Sequence, residues 1–181
     1  MIAAFIMTSV DGFFEGDHPW DIDWHHTDEE FNDFAATQLD DFDTLVFGRA
    51  TYEGMAQYWP SEEAIKTDPM IAPRMNDASK VVVSRTLDAP EPAWSNTTLV
   101  KDMRELRSDK KLLVLGSAVL TTSLLEEGLL DELRIMVAPV LIGSGRTVAS
   151  TATRRIPLTL LSRREFGNGN VLLIYQQDAR I

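Results

Sequence analysis

Short apolar runs alternate with segments of helical spacing along most of the chain, so the pattern reads as strand, helix, strand, helix. Ile2–Thr8 is apolar with little two-residue alternation, as in a strand buried on both faces. Thr27-Asp28-Glu29-Glu30 forms a capping box. Behind it Phe31, Phe34, Ala35, Leu39 and Phe42 follow helical spacing, predicting a helix to about Asp41. Thr44–Phe47 predicts a strand, and Arg49–Tyr58 a helix that Trp59-Pro60 ends. Ser61–Ala78 is irregular apart from a short helix around Asp68–Asn76. Lys80–Ser84 and Thr97–Val100 read as strands, Met103–Ser108 as a helix and Leu112–Leu115 as a strand. The helix that follows has Ser117 as its natural N-cap and Gly128 as its stop. Glu132–Ala138 is a strand closed by Pro139. Thr159–Glu165 and Val171–Gln177 flank Gly167-Asn168-Gly169-Asn170, predicting a terminal hairpin. This order predicts one α/β domain over residues 1–181. Its architecture is three-layer α/β/α, with a mostly parallel central sheet and an antiparallel C-terminal hairpin.

Composition narrows the possibilities. With 181 residues and 44% hydrophobic content, the chain can bury a single core. No stretch approaches the ~18 uninterrupted apolar residues of a membrane span. Met1 leads directly into an apolar strand without a basic segment, so no signal peptide is expected and the expected location is cytoplasmic. The chain has no cysteine, which excludes disulfides and thiolate metal sites. Its net charge of −11 argues against nucleic acid and anionic membrane as partners. The acids cluster within 17–43 and 62–77, leaving the strand ends at Gly48–Arg49 and Ser84–Arg85 locally neutral or basic.

Those strand ends carry the candidate chemistry. At Phe47-Gly48-Arg49-Ala50-Thr51 an apolar strand stops and a helix starts at once. The first turn of a helix offers free N–H groups and the positive end of its dipole. Gly48 allows close approach to the backbone, Arg49 offers a guanidinium and Thr51 a hydroxyl. Leu115-Gly116-Ser117-Ala118 repeats the design, and Val83-Ser84-Arg85 ends a third strand. Converging at the carboxyl edge of a parallel sheet, these ends would suit the phosphates of a dinucleotide. Turn and cap chemistry is the plainer reading of each.

At these residues the chain resembles the dihydrofolate-reductase-like fold, in the branch typified by the RibD C-terminal reductase domain of riboflavin biosynthesis. The resemblance rests on Thr8-Ser9-Val10-Asp11-Gly12-Phe13, on 43–53, on 81–85 and on Val114-Leu115-Gly116-Ser117-Ala118. Its longest match runs from Gly128-Leu129-Leu130-Asp131-Glu132-Leu133-Arg134 to Pro139-Val140-Leu141-Ile142-Gly143-Ser144-Gly145. It implies an NADPH-dependent reductase passing a hydride to a small pteridine- or pyrimidine-like substrate. Gly48, Arg49 and Thr51 match the first cofactor-phosphate motif, and Gly116, Ser117 and Ala118 the second cofactor loop. Ser84 and Arg85 match the place of the ribose 2′-phosphate. It also implies a homodimer through 133–142 and the terminal hairpin. Two alternatives remain: a nucleotide-binding domain without turnover, and a stand-alone riboflavin-pathway reductase.

The loop after the first strand supplies the other candidates. Asp11 is either the general acid or an Asx-turn residue before Gly12. His18-Pro19-Trp20 resembles the Pro-Trp of folate reductases, but the position of their pterin-binding carboxylate is His25 here, which disfavours folate reduction. Trp20, Trp24 and His25 either line a substrate pocket or pack the loop. No metal is expected, although His18, His25 and His26 fall close together. Tyr52, Ala56 and Trp59 share one helix face and read as core, and Glu132 and Arg134 as charges paired across strands.

Overall fold

The computed structural model describes residues 1–106 and 109–178. In chain order its elements are β1 (Ile2–Thr8), β2 (Phe13–Glu15), α1 (Glu29–Asp40), β3 (Thr44–Gly48), α2 (Arg49–Tyr58), α3 (Glu62–Thr67) and α4 (Ala72–Asp77). Then follow β4 (Ser79–Val83), β5 (Thr97–Val100), a 3₁₀ turn (Met103–Leu106), β6 (Leu112–Leu115), α5 (Ala118–Glu127) and β7 (Glu132–Val137). The chain ends with β8 (Arg146–Thr147), β9 (Leu158–Glu165) and β10 (Val171–Gln177). The helix expected over 103–108 is thus a 3₁₀ turn as far as Leu106; Arg107 and Ser108 lie outside the described residues.

Eight strands form one sheet in the order β5-β4-β3-β6-β1-β7-β10-β9. The first six run parallel, and β10 and β9 close the edge antiparallel. Alternate residues of the parallel strands feed two cores, which is why the central strands β1, β3 and β6 are mainly apolar on both faces. Ala3, Leu45, Phe47, Val82 and Leu113 face α1, α2 and α4. Ile2, Ala4, Val46, Leu112 and Val114 face α5 through Leu120, Leu124 and Leu125. A third cluster of Met7, Phe31, Met136, Phe166 and Leu172 extends the α1 side under the hairpin. The fold is α/β, mostly parallel, with the antiparallel hairpin at one edge.

Several local expectations are corrected. Asp28, not Thr27, caps α1 by accepting the Phe31 N–H at 2.9 Å. Glu30 is drawn away from the cap to Arg164 Nη2 at 2.9 Å and the Gly167 N–H at 2.8 Å. Within 61–78, α3 forms under a Ser61 cap with Glu62 and Glu63 in its first turn. Arg134 pairs along its own strand with Glu132 at 2.8 Å, and with Gln38 on α1, rather than across strands. Tyr52 and Ala56 are buried, and Tyr52 donates its hydroxyl to the Pro92 carbonyl at 2.8 Å. Gly128 ends α5 in the left-handed conformation. Among the described residues no helix is long and apolar enough to cross a membrane.

Candidate cofactor and substrate site

The parallel strands deliver three chain turns to one edge of the sheet. In the β3–β6 pair Val46 stands opposite Val114, so two residues further on Gly48 and Gly116 are neighbours. Gly116 has φ +58° and Ser117 φ +51°, both left-handed. This twist turns the Ser117 hydroxyl away from its own helix. It accepts the Gly48 N–H at 2.6 Å and donates to Thr51 Oγ1 at 2.9 Å. Ser117 therefore occupies the cap position of α5 without capping it. The packing is close: a Cβ on Gly48 would lie 2.9 Å from Ser117 Oγ, and one on Gly116 3.4 Å from Thr51 Cγ2.

Both joined helices begin without a side-chain cap. By contrast, α1 and α3 are capped by Asp28 and Ser61 and carry acids in their first turns. Neither α2 nor α5 has an acid there. Such N-termini are able to receive an anion. Arg49, at the first position of α2, places a cation where a helix favours an acid.

The third turn differs from expectation. Ser84 is buried and its hydroxyl oxygen accepts the N–H groups of Thr86 and Leu87 at 3.3 and 3.2 Å, so it builds the turn. The exposed hydroxyl there belongs to Thr86, which accepts from Arg49 Nη1 at 3.1 Å. Arg85 is exposed, and its guanidinium donates no hydrogen bond to a described residue.

The β1 loop is fastened to the segment after β7. Asp11 accepts the Gly143 N–H at 2.8 Å and the Ile142 N–H at 3.3 Å. A hydrogen bond from the Ser9 hydroxyl, with these amides, holds its carboxyl below the usual carboxylate range. Ser9, not Asp11, builds the turn, accepting the Phe13 N–H at 3.0 Å. Nearby β2 pairs with β8, and Glu15 forms an ion pair with Arg146. A Cβ on Gly145 would lie 2.2 Å from the Glu15 carbonyl oxygen, so only glycine fits there.

Of the aromatic candidates, Trp20 stands apart. Its backbone is left-handed, φ +67°, and its indole covers α2 at Gly54, where a Cβ would lie 2.0 Å from the ring. Trp24 and His25 pack edge to face at 4.5 Å. Burial pulls the His25 ring down to about 4, so it is neutral, and its Nε2 is buried without a partner among the described residues. Asn168 and Asn170 donate to the His26 carbonyl at 3.2 and 2.7 Å, tying the loop to the β9–β10 turn. The loop thus runs from α2 to the hairpin. Among the described residues no group of three His, Asp or Glu side chains is placed to hold a metal.

Residues 1–172 match the family model of the RibD C-terminal domain. The chain belongs to the RibD C-terminal domain family. The uncharacterized protein YyaP of Bacillus subtilis (strain 168) is 28% identical over 176 residues, covering 94% of this chain and 91% of YyaP. Among solved structures, a Shewanella sp. PV-4 protein named for riboflavin biosynthesis superposes with a TM-score of 0.73 at 19% identity, over 98% of this chain and 99% of that one. The dihydrofolate reductase of Enterococcus faecalis, solved with NADP(H), superposes at 0.63 with 16% identity, over 99% and 97%. These two likenesses show the fold, which is dihydrofolate-reductase-like.

In this RibD-type domain the structure brings the candidates Gly48, Arg49, Thr51, Gly116 and Ser117 together. Ala118 is buried as the first residue of α5. Three neighbours of the candidates that the sequence does not single out are Thr86 and Glu53, beside Arg49, and Gly54, beneath Trp20. An isolated threonine after Arg85 and a helix glycine four residues before Tyr58 give little signal alone. Glu53 stands one helical turn after Arg49, a readable spacing whose meaning depends on the Arg49 conformation.

Proposed function

We propose that this protein is an NADPH-dependent reductase that transfers a hydride to a small, planar heterocycle of the pyrimidine or pteridine class. Family membership supports a reductase-type function. The observation that carries the cofactor reading is the pair of uncapped helix N-termini locked together by Ser117. The residues fit a dinucleotide: glycine at both turns, free amides on two helices and two arginines beside them. Bound nicotinamide would supply the hydride. The amides of α2 and α5 would hold the pyrophosphate, with Arg49 and Arg85 on the ribose phosphate. The loop carrying Trp20, Trp24 and His25 would cover the substrate and exclude water. Asp11 is read as the anchor of the Gly143 turn, because an ionised carboxylate holding two amides has no proton to give.

A homodimer is part of the proposal. Leu133 is buried, so the contact would use Leu141, Leu160 and Leu161, exposed by 71%, 45% and 47%. Fluorescence titration with NADPH, followed by a heterocycle screen for loss of reduced-nicotinamide absorbance, tests the function. Binding without turnover across the screen would favour a nucleotide-binding domain instead.

A further inference from the structure

Arg49 lies at the first position of α2 with its side chain half exposed. One turn on, Glu53 Oε1 accepts its Nε–H at 2.7 Å. From the adjoining turn Thr86 Oγ1 accepts from Nη1 at 3.1 Å. Thr86 is itself set by the turn that Ser84 builds, with the two hydroxyls 3.4 Å apart. The guanidinium is therefore gripped at two nitrogens, while Nη2 donates to no described residue.

Helix stability does not explain this arrangement. A cation at a helix N-terminus opposes the dipole. An exposed Arg–Glu pair contributes little, and less with the arginine N-terminal to the acid. Pre-organisation does explain it: a long side chain already fixed has less rotamer freedom to lose when an anion binds.

We infer that Glu53 and Thr86 are positioning residues that hold the Arg49 guanidinium with Nη2 presented to the cofactor's ribose 2′-phosphate. Ser84 acts through Thr86 as the foot of the turn. This inference rests on the NADPH reading. Glu53 works against its own charge here, since a carboxylate near a phosphate repels it. Pairing with Arg49 offsets that repulsion, so the grip, not the charge, sets the sign of its effect.

The test compares wild type, Glu53→Ala, Glu53→Gln and Thr86→Val. NADPH and NADH dissociation constants are measured, and the Arg49 Nε–H is followed by nitrogen NMR. Glu53→Ala and Thr86→Val should each weaken NADPH by about 3- to 10-fold, the scale of one exposed hydrogen bond or ion pair, and leave NADH unchanged. Glu53→Gln should retain most of the affinity, because its amide oxygen still accepts from Nε. Solvent exchange of the Nε–H should be slow in wild type and fast in Glu53→Ala. Unchanged or tighter NADPH binding in Glu53→Ala would overturn the inference, as would a fast-exchanging Nε–H in wild type. A wild type that holds the Nε–H but binds neither cofactor would overturn the NADPH reading and the stated purpose of the grip, leaving the grip itself measured.

Discussion

Ser117 Oγ accepts the Gly48 N–H at 2.6 Å, so the cap residue of one helix serves the cap residue of another. The same hydroxyl donates to Thr51, binding two loops that are 69 and 66 residues apart in sequence. Its backbone is left-handed, a conformation costing a non-glycine residue roughly 1–2 kcal/mol. Hydroxyl and backbone therefore make opposite demands at one position. Ser117→Ala keeps the backbone cost and leaves the Gly48 amide without its acceptor, for an expected loss of about 1–3 kcal/mol. Ser117→Gly loses the same hydroxyl but relieves the backbone. Urea unfolding should rank wild type above Ser117→Gly and Ser117→Ala lowest; Ala at or above Gly would mean the left-handed conformation carries no cost.

Arg49 should show function set against stability. Arg49→Gln removes a cation opposed to the α2 dipole, a gain of ~0.3–1 kcal/mol, and gives up an exposed ion pair of about 0.3–0.5 kcal/mol. In thermal melts without ligand the variant should unfold no lower than wild type. With NADPH its stabilisation should be much smaller. A clear loss of ligand-free stability would show that Arg49 serves the fold first.

Gly54 lies inside α2, where alanine would ordinarily add about 1 kcal/mol. Trp20 forbids that gain, since the new Cβ would lie 2.0 Å from its ring. Gly54→Ala should thus fail to stabilise the wild type and should change Trp20 fluorescence. In a Trp20→Ala background the same change should stabilise. A double-mutant cycle measures the difference; additive effects would mean that the indole does not rest on α2.

His25 supplies a pH dependence whose sign follows from its burial. Its ring titrates at 6.5 in the ordinary state and about 4 in the fold. Between these values the unfolded chain binds more protons, so folding stability is full above pH 6.5 and declines as pH falls toward 4. The slope is at most ~1.4 kcal/mol per pH unit. The carboxylates held below their usual range, among them Asp11 and Glu30, act mainly at lower pH. His25→Gln should flatten stability between pH 6.5 and 5. A slope that survives the substitution would move its source elsewhere.

Much of this fold was legible because its signals are local. β1, β3 and β6 are mainly apolar, α1 repeats Phe31, Phe34, Ala35 and Leu39, and Gly128 stops α5 as its position suggests. β2 and β8, of three and two residues, are too short to carry a period and exist through their mutual pairing. At the site, residue identities were readable but partners were not. Ser117 was legible as a cap, yet its left-handed backbone sends the hydroxyl to Gly48. Ser84 was legible beside Arg85, yet its oxygen is taken by the amides of Thr86 and Leu87. The first reassignment depends on a contact distant in sequence and the second on the local turn geometry, and hydrophobic pattern alone encodes neither.

The tied turns at Gly48 and Gly116 are proposed as the NADPH site. The decisive measurement is isothermal titration of the wild-type protein with NADPH, and separately with NADH at the same ionic strength. One NADPH should bind per chain, saturably and more tightly than NADH because of Arg49 and Arg85. Equal affinity for the two cofactors would remove the phosphate assignment, and no saturable binding of either would mean that these turns hold no dinucleotide.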